Sequence, residues 1–163
     1  MSDYIEIKGL ENFFKACEKL IDMDKHGQSI LAGAGESMRN AIIDSFKNER
    51  SIFDGKWQGL KPATIKQKIK EGKNNGILKR ENELSKETNW QSKVSKNSVE
   101  VFNNIQTKNG FKYGLIHQYG SKKKNIPARA FLPIDNNNVL HQSIRSVIYK
   151  DTKAFIQNII KNK

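Results

Sequence analysis

Apolar residues recur along this chain in two distinct rhythms. Tyr4 to Ile7 alternates and predicts a short strand. Leu10, Phe13, Phe14, Cys17, Leu20 and Ile21 then repeat at three and four residues, the spacing of one helical face ending near Met23. Lys25-His26-Gly27 is expected to break that helix. A second follows, with Ile30, Leu31, Ala34, Met38, Ala41, Ile42 and Phe46 inward, and with Gly33 and Gly35 either weakening it early or letting another backbone approach closely. The rhythm stops over 49–61, where Asp54-Gly55 marks a turn. Pro62 suits a first helical position, and Ile65 and Ile69 predict the inner face of a short amphipathic helix. Residues 77–87 read as either a short helix or a loop.

Beyond that, Trp90, Val94, Val99 and Val101 bracket the polar Lys96-Asn97, the pattern of a β-hairpin. Asn109-Gly110 is a second hairpin signal, so 111–119 is expected to be a third strand, or a strand that coils into a turn. Helical spacing returns from 136 to 161, with Asp135 or one of the three following asparagines as N-cap. At 1.5 Å per residue that helix would span roughly 35–40 Å. Helices, then strands, then a closing helix define an α+β fold: N-terminal helices and a long C-terminal helix packed on a small antiparallel β-sheet. A chain of 163 residues with no linker or repeat is expected to form a single domain, 1–163.

Charge changes this picture more than composition does. Lys and Arg number 29 against 17 Asp and Glu, a net charge of +12. That excess suits an anionic partner: nucleic acid, an acidic protein surface or a membrane face; the bland alternative is a lysine-rich solvated surface. One cysteine, Cys17, precludes an intramolecular disulfide and sits among apolar residues, as a core position would. The histidines at 26, 117 and 141 have no cysteine partners and no short ligand spacing, so no metal or other cofactor is expected. No apolar run approaches the ~18 residues of a membrane span, and the N-terminus lacks a leader pattern; a cytoplasm-like compartment is expected.

The densest chemistry lies in Tyr113-Gly-Leu-Ile-His-Gln-Tyr-Gly120 and Ile126-Pro-Ala-Arg-Ala-Phe-Leu132. His117 beside Gln118 invites a general-base reading. Nothing near it supplies a nucleophile or substrate anchor, and no P-loop, dinucleotide fingerprint or HExxH is present. The favoured reading is structural: the His117 ring and the Gln118 amide bond to backbone and fix the turn at Gly120, holding Tyr113 and Tyr119. Lys122, Lys123 and Lys124 form an exposed loop suited to phosphate or acidic protein, or merely solvated. Arg129, constrained between Pro127 and Phe131, suits a carboxylate partner, in a structural ion pair or a subunit contact. Trp57, between glycines, is expected to anchor its loop onto the body, with direct partner contact as the lesser reading.

In order, Ser45-Phe46, Asp54-Gly55, Trp57-Gln-Gly-Leu60, Thr64, Lys68, Ile77-Leu78, Leu84 and the two late motifs form a series. That series resembles the virion morphogenesis (tail completion) family of tailed bacteriophages and Mu-like prophages, over about residues 40–135. The resemblance implies a non-enzymatic structural protein acting late in virion assembly, in tail completion or head–tail joining. It implies a homo-oligomeric ring at the head-proximal end of the tail, with tail-tube or head–tail connector proteins as partners. Its location would be the bacterial host cytoplasm during assembly and then the virion, away from any membrane, with DNA contact through the basic surface as a further expectation. Two alternatives compete with it: a stand-alone basic nucleic-acid-binding protein, and a small hydrolase or nuclease built on His117.

Overall fold

A computed structural model describes residues 8–12, 15, 23–73, 76–106, 110 and 112–161. The strand expected at 4–7 lies outside these residues, as does most of the helix expected at 10–23. The elements are α1 (Met23–Asn48), β1 (Arg50–Ser51), β2 (Gly55–Lys56), α2 (Pro62–Lys70), a 3₁₀ turn (Glu87–Asn89), β3 (Gln91–Val94), β4 (Val99–Phe102), α3 (Tyr113–Tyr119) and α4 (Gln142–Lys161). The fold is α+β with a C-terminal helix. Among the described residues its strands form two separate antiparallel pairs, β1–β2 and β3–β4, beside three isolated bridges. The chain divides into two compact units, one from residues 1–40, 91–102 and 134–163, the other from 41–90 and 103–133.

In the first unit, α1 buries Ile30, Leu31, Ala34 and Met38, as the spacing predicts. The break expected at Lys25-His26-Gly27 does not occur: α1 is continuous through all three residues. A single glycine costs a helix about 1 kcal/mol, which packing on both sides of it easily exceeds. His26 meets the edge of Phe155 from α4 at 6.1 Å. Gly35 has a steric purpose, since a Cβ there would stand 2.6 Å from Cγ2 of Val99. The β3–β4 hairpin therefore rests directly on the helix backbone. It pairs Ser92 with Val101 and Val94 with Val99, and its turn is closed by Ser95 N–H donating to Ser98 O at 2.8 Å.

The closing helix begins later than its apolar spacing implies. Asp135 does not cap it; its Oδ1 accepts the N–H groups of Asn137 and Val139, both at 2.8 Å, in a local turn. Ile134 and Leu140 pair across that turn. The α4 cap is instead His141, whose Nδ1 accepts the Ser143 N–H at 3.2 Å. With 20 residues, α4 spans about 30 Å, and Ile148 and Thr152 are its most buried positions.

The second unit is organised by Phe46, which is 1% exposed at the end of α1. Its ring lies 5.6 Å from Trp57, 6.4 Å from Trp90 and 5.0 Å from Phe131. Trp90 and Phe131 also meet each other at 5.8 Å. Both indoles are satisfied: Trp57 Nε1 donates to Ala130 O and Trp90 Nε1 to Leu84 O, each at 2.9 Å.

Two helices of this unit depart from the sequence reading. In α2, with Pro62 in its first turn as expected, the inward residue is Lys68, not Ile65 or Ile69. Lys68 is 3% exposed and Ile69 is 59% exposed. The reason lies in what α2 faces: Lys68 Nζ donates to Gly76 O at 2.7 Å, with the Glu49 carboxylate close by. That carboxylate accepts the Ile77 N–H at 3.0 Å and pairs with Lys79 at 3.2 Å. The helix then ends in a glycine cap, Gly72 donating to Ile69 O and Lys73 to Lys68 O. The second departure is that 113–119 is the helix α3 rather than a third strand. Helical geometry puts Gly114 and Gln118 on one face, where a Cβ on Gly114 would lie 3.5 Å from Leu84 and 3.8 Å from Phe131.

Truncating the central ring tests this packing. Phe46→Ala is expected to lower unfolding stability by about 3–5 kcal/mol, as fully buried aromatics do, seen as a fall in the urea midpoint. A loss below about 0.5 kcal/mol, the size of a typical surface change, would remove Phe46 from its central role.

Candidate interaction site around helix α3

Helix α3 carries three faces, because successive residues turn by about 100°. Gly114 and Gln118 face the core. Gln118 is 4% exposed, and its Oε1 accepts two backbone N–H groups, from Phe131 and Leu132, each at 2.9 Å. One buried side chain thus satisfies two donors of a segment that has no sheet partner, which is what a buried polar residue must do to be tolerated. At the helix end the His117 carbonyl accepts the Arg129 N–H at 2.7 Å.

Gly120 makes the turn out of α3, with φ 74 and ψ −179, a region open essentially to glycine alone. A Cβ there would also stand 2.8 Å from the Ala128 nitrogen. The chain then closes a tight turn, with Ser121 and Ile126 exchanging hydrogen bonds of 2.8 and 3.0 Å. Lys122, Lys123 and Lys124 are exposed at its tip, and Asn125 takes φ 51. Pro127, half-buried, leads back into the 129–131 segment.

Arg129 is 7% exposed, and its partners are not carboxylates. Its Nε donates to Gln58 O at 3.0 Å and its Nη2 to Gly59 O at 3.3 Å. The guanidinium fork clasps the two carbonyls of the loop that Trp57 anchors, so the ion pair expected from the sequence is replaced by a backbone clamp. Burial pulls the guanidinium below its usual range. Phe131, 3% exposed, belongs to the Phe46 cluster. Trp57, Gln118, Arg129 and Phe131 are therefore internal members of the motif series. Tyr119, 46% exposed, and the lysine turn form its outer part.

The second face of α3 holds Tyr113 and His117, whose rings meet edge-on at 6.3 Å. They line an open groove of about 660 Å³ with Leu78, Glu81, Glu83 and Ile105. Burial, together with the positive charge of Arg129, lowers the His117 pKa from its ordinary 6.5. The ring is therefore neutral near pH 7, and its Nδ1 is buried without a hydrogen-bond partner among the described residues. Tyr113 is raised, first by burial and then by the carboxylates of Glu83 and Glu81. Among the described residues no three His, Cys, Asp or Glu side chains are placed to hold a metal ion together, and no helix is long and apolar enough to cross a membrane.

The third face is Leu115 and Tyr119, 41% and 46% exposed. Sequence reasoning singled out Tyr119 but not Leu115, and missed Glu81, Glu83 and the groove altogether. The i, i+4 spacing of Leu115 and Tyr119 was the available signal, but it registers only once the segment is known to be helical.

The depressed His117 pKa has a sign that stability measurements can read. The unfolded chain binds a proton at His117 at higher pH than the folded one does. The stabilisation is therefore full above 6.5 and declines as pH falls from there toward the lower folded value. His117→Gln is expected to flatten the fall in unfolding free energy between about pH 7 and pH 5, followed by denaturant titration at each pH. Identical slopes for the two proteins would show that His117 is not buried in neutral form.

Comparison with known proteins yields one informative relative. No family model matches the chain, and no solved structure matches it. A protein of the archaeon Methanocaldococcus jannaschii, described as the uncharacterized protein MJ0331, is 34% identical over 108 residues, covering 65% of this chain and 69% of the relative. That identity, over more than two thirds of the relative's length, is too extensive for chance likeness, and the chain belongs to the family of this archaeal protein.

Proposed function

We propose that the chain is a non-enzymatic structural protein of tailed-virus assembly, acting in tail completion or head–tail joining as a ring of like subunits. The observation that carries the reading is the ordered motif series from Ser45-Phe46 to Leu132 and its resemblance to the tail completion family. Its physical support is the use to which those residues are put. Phe46, Trp57, Lys68, Leu84, Gln118, Arg129 and Phe131 are buried in one compact unit. Most of them hydrogen-bond to backbone or stack on one another, which is the chemistry of a scaffold.

The same unit turns apolar side chains outward. Ile65 and Ile69 on α2, and Leu115 and Tyr119 on α3, are i, i+4 pairs on helices whose buried residues are polar, Lys68 and Gln118. Isolated exposed apolar residues are ordinary; paired ones on helices that bury polar groups suit surfaces that other chains cover. Subunit rings need such heterologous surfaces. The net charge of +12 also suits a partner or conduit carrying negative charge, and a stand-alone DNA-binding protein would draw on that charge alone.

The test is genetic and structural. Deleting the gene from a virus or prophage that encodes it is expected to leave separate heads and tails in electron micrographs. Mass spectrometry of intact particles is expected to find the chain in the mature virion. Normally joined, infectious particles made without the chain would overturn the proposal.

A further inference from the structure

The two free faces of α3 are complementary to each other, and one molecule cannot bring them together. Tyr113 and His117 point into the groove, while Leu115 and Tyr119 lie about 200° around the helix from them. The lysine turn follows the C-terminal end of α3, and Tyr113 opens its N-terminal end, about 10 Å away at 1.5 Å per residue. We propose that the Leu115–Tyr119 face and the Lys122–Lys123 tip of one copy seat in the Tyr113 groove of a second copy, a head-to-tail contact between identical chains. The inference rests on the assembly reading above and gives its ring a defined joint.

Charge decides the occupant. The groove contains Arg80, Glu81 and Glu83. Arg80 is paired with Glu71, and Glu81 with Lys73 at 2.8 Å, both within the subunit. Glu83 is exposed and has no ion-pair partner among the described residues. In a chain of net charge +12 a groove that offers a carboxylate beside the Tyr113 hydroxyl favours a cationic guest, and Lys122 and Lys123 project such charges. The apolar part of the groove, Leu78 and Ile105 with the Tyr113 ring, suits the Leu115 and Tyr119 side chains that precede the lysines.

The groove wall is built before any guest arrives. Leu78 is held at φ 57, in the left-handed region that leucine rarely occupies, and Asn82 at φ 57, where asparagine is at home. Two contacts just upstream hold the segment in place: Ile77 N–H on Glu49 Oε1 and Lys68 Nζ on Gly76 O. The contact is heterologous, since groove meets tip and not groove meets groove, so it propagates around a ring or along a filament rather than closing in a pair.

Sedimentation velocity of the full chain at low ionic strength tests the contact. The wild type is expected to grow in mass with concentration and to revert to single copies as salt screens the charges. Lys122→Glu/Lys123→Glu and Glu81→Lys/Glu83→Lys are each expected to remain single copies while keeping the wild-type circular dichroism spectrum. Mixed one to one, they are expected to associate again, because the first keeps the Glu83 carboxylate in its groove and the second keeps the lysine tip. Tyr119→Ala is expected to weaken wild-type association at least tenfold. A wild type that is a single copy at every concentration, variants that associate unaided, or a mixture that fails to recover would each overturn the inference. The same variants carried in the virus separate the two claims. Joined particles that still require the chain, without this contact, refute the joint alone; a recovered contact in a chain absent from particles refutes the assembly reading.

Discussion

Three segments spread between residues 57 and 131 converge on the ring of Phe46 at the end of α1. The Trp57 loop, the residue before β3 and the 129–131 segment each place an aromatic side chain or its backbone support there. Burying a phenylalanine is worth about 2–3 kcal/mol from area alone, and its stacking adds more. The cluster also fixes geometry that area does not. Trp57 Nε1 and the Arg129 guanidinium both reach backbone carbonyls, one in each direction between the 57–59 loop and the 129–130 segment. With that pair of ties in place, the backbone of 129–132 is pinned, and Gln118 can serve two of its N–H groups at once.

Everything outward on α3 follows from that inner arrangement. Because Gly114 and Gln118 must face Leu84 and Phe131, the helix has no freedom to hide Leu115 and Tyr119. Because Gly120 alone tolerates the exit turn against Ala128, the lysine tip leaves in a set direction. The same logic holds in α2, where the buried Lys68 turns Ile65 and Ile69 to the outside. A polar interior and an apolar exterior on two short helices are costly features for an isolated subunit and natural ones for a subunit that is covered in an assembly.

The sequence made some of this legible and concealed the rest for identifiable reasons. The apolar face of α1, the hairpin about Lys96-Asn97, the Asp54-Gly55 turn and the Pro62 helix start all rest on local rules, and all appear. The segment 113–119 misleads because Asn109-Gly110 signals a hairpin whose second arm would run into it, and the residues that decide otherwise are a glycine and a glutamine with no apolar signal. Ile65 and Ile69 mislead as well, since periodicity assumes that apolar faces turn inward, and a buried cation answering the Gly76 carbonyl overrides that assumption. The Arg129 partner was missed because a backbone carbonyl leaves no mark in sequence, whereas a carboxylate would have. What the sequence hid about the motif residues is which of them lie inside and which outside.

The central claim is that residues 113–132 form a surface fixed by bonds within the chain itself. Native-state hydrogen exchange of the Phe131 and Leu132 amides tests it most directly, because both N–H groups end on Gln118 Oε1. The account predicts protection approaching that of global unfolding, alongside the buried amides of α1 near Phe46. Exchange of these two amides at the rate of the exposed Lys122–Lys124 turn would contradict it.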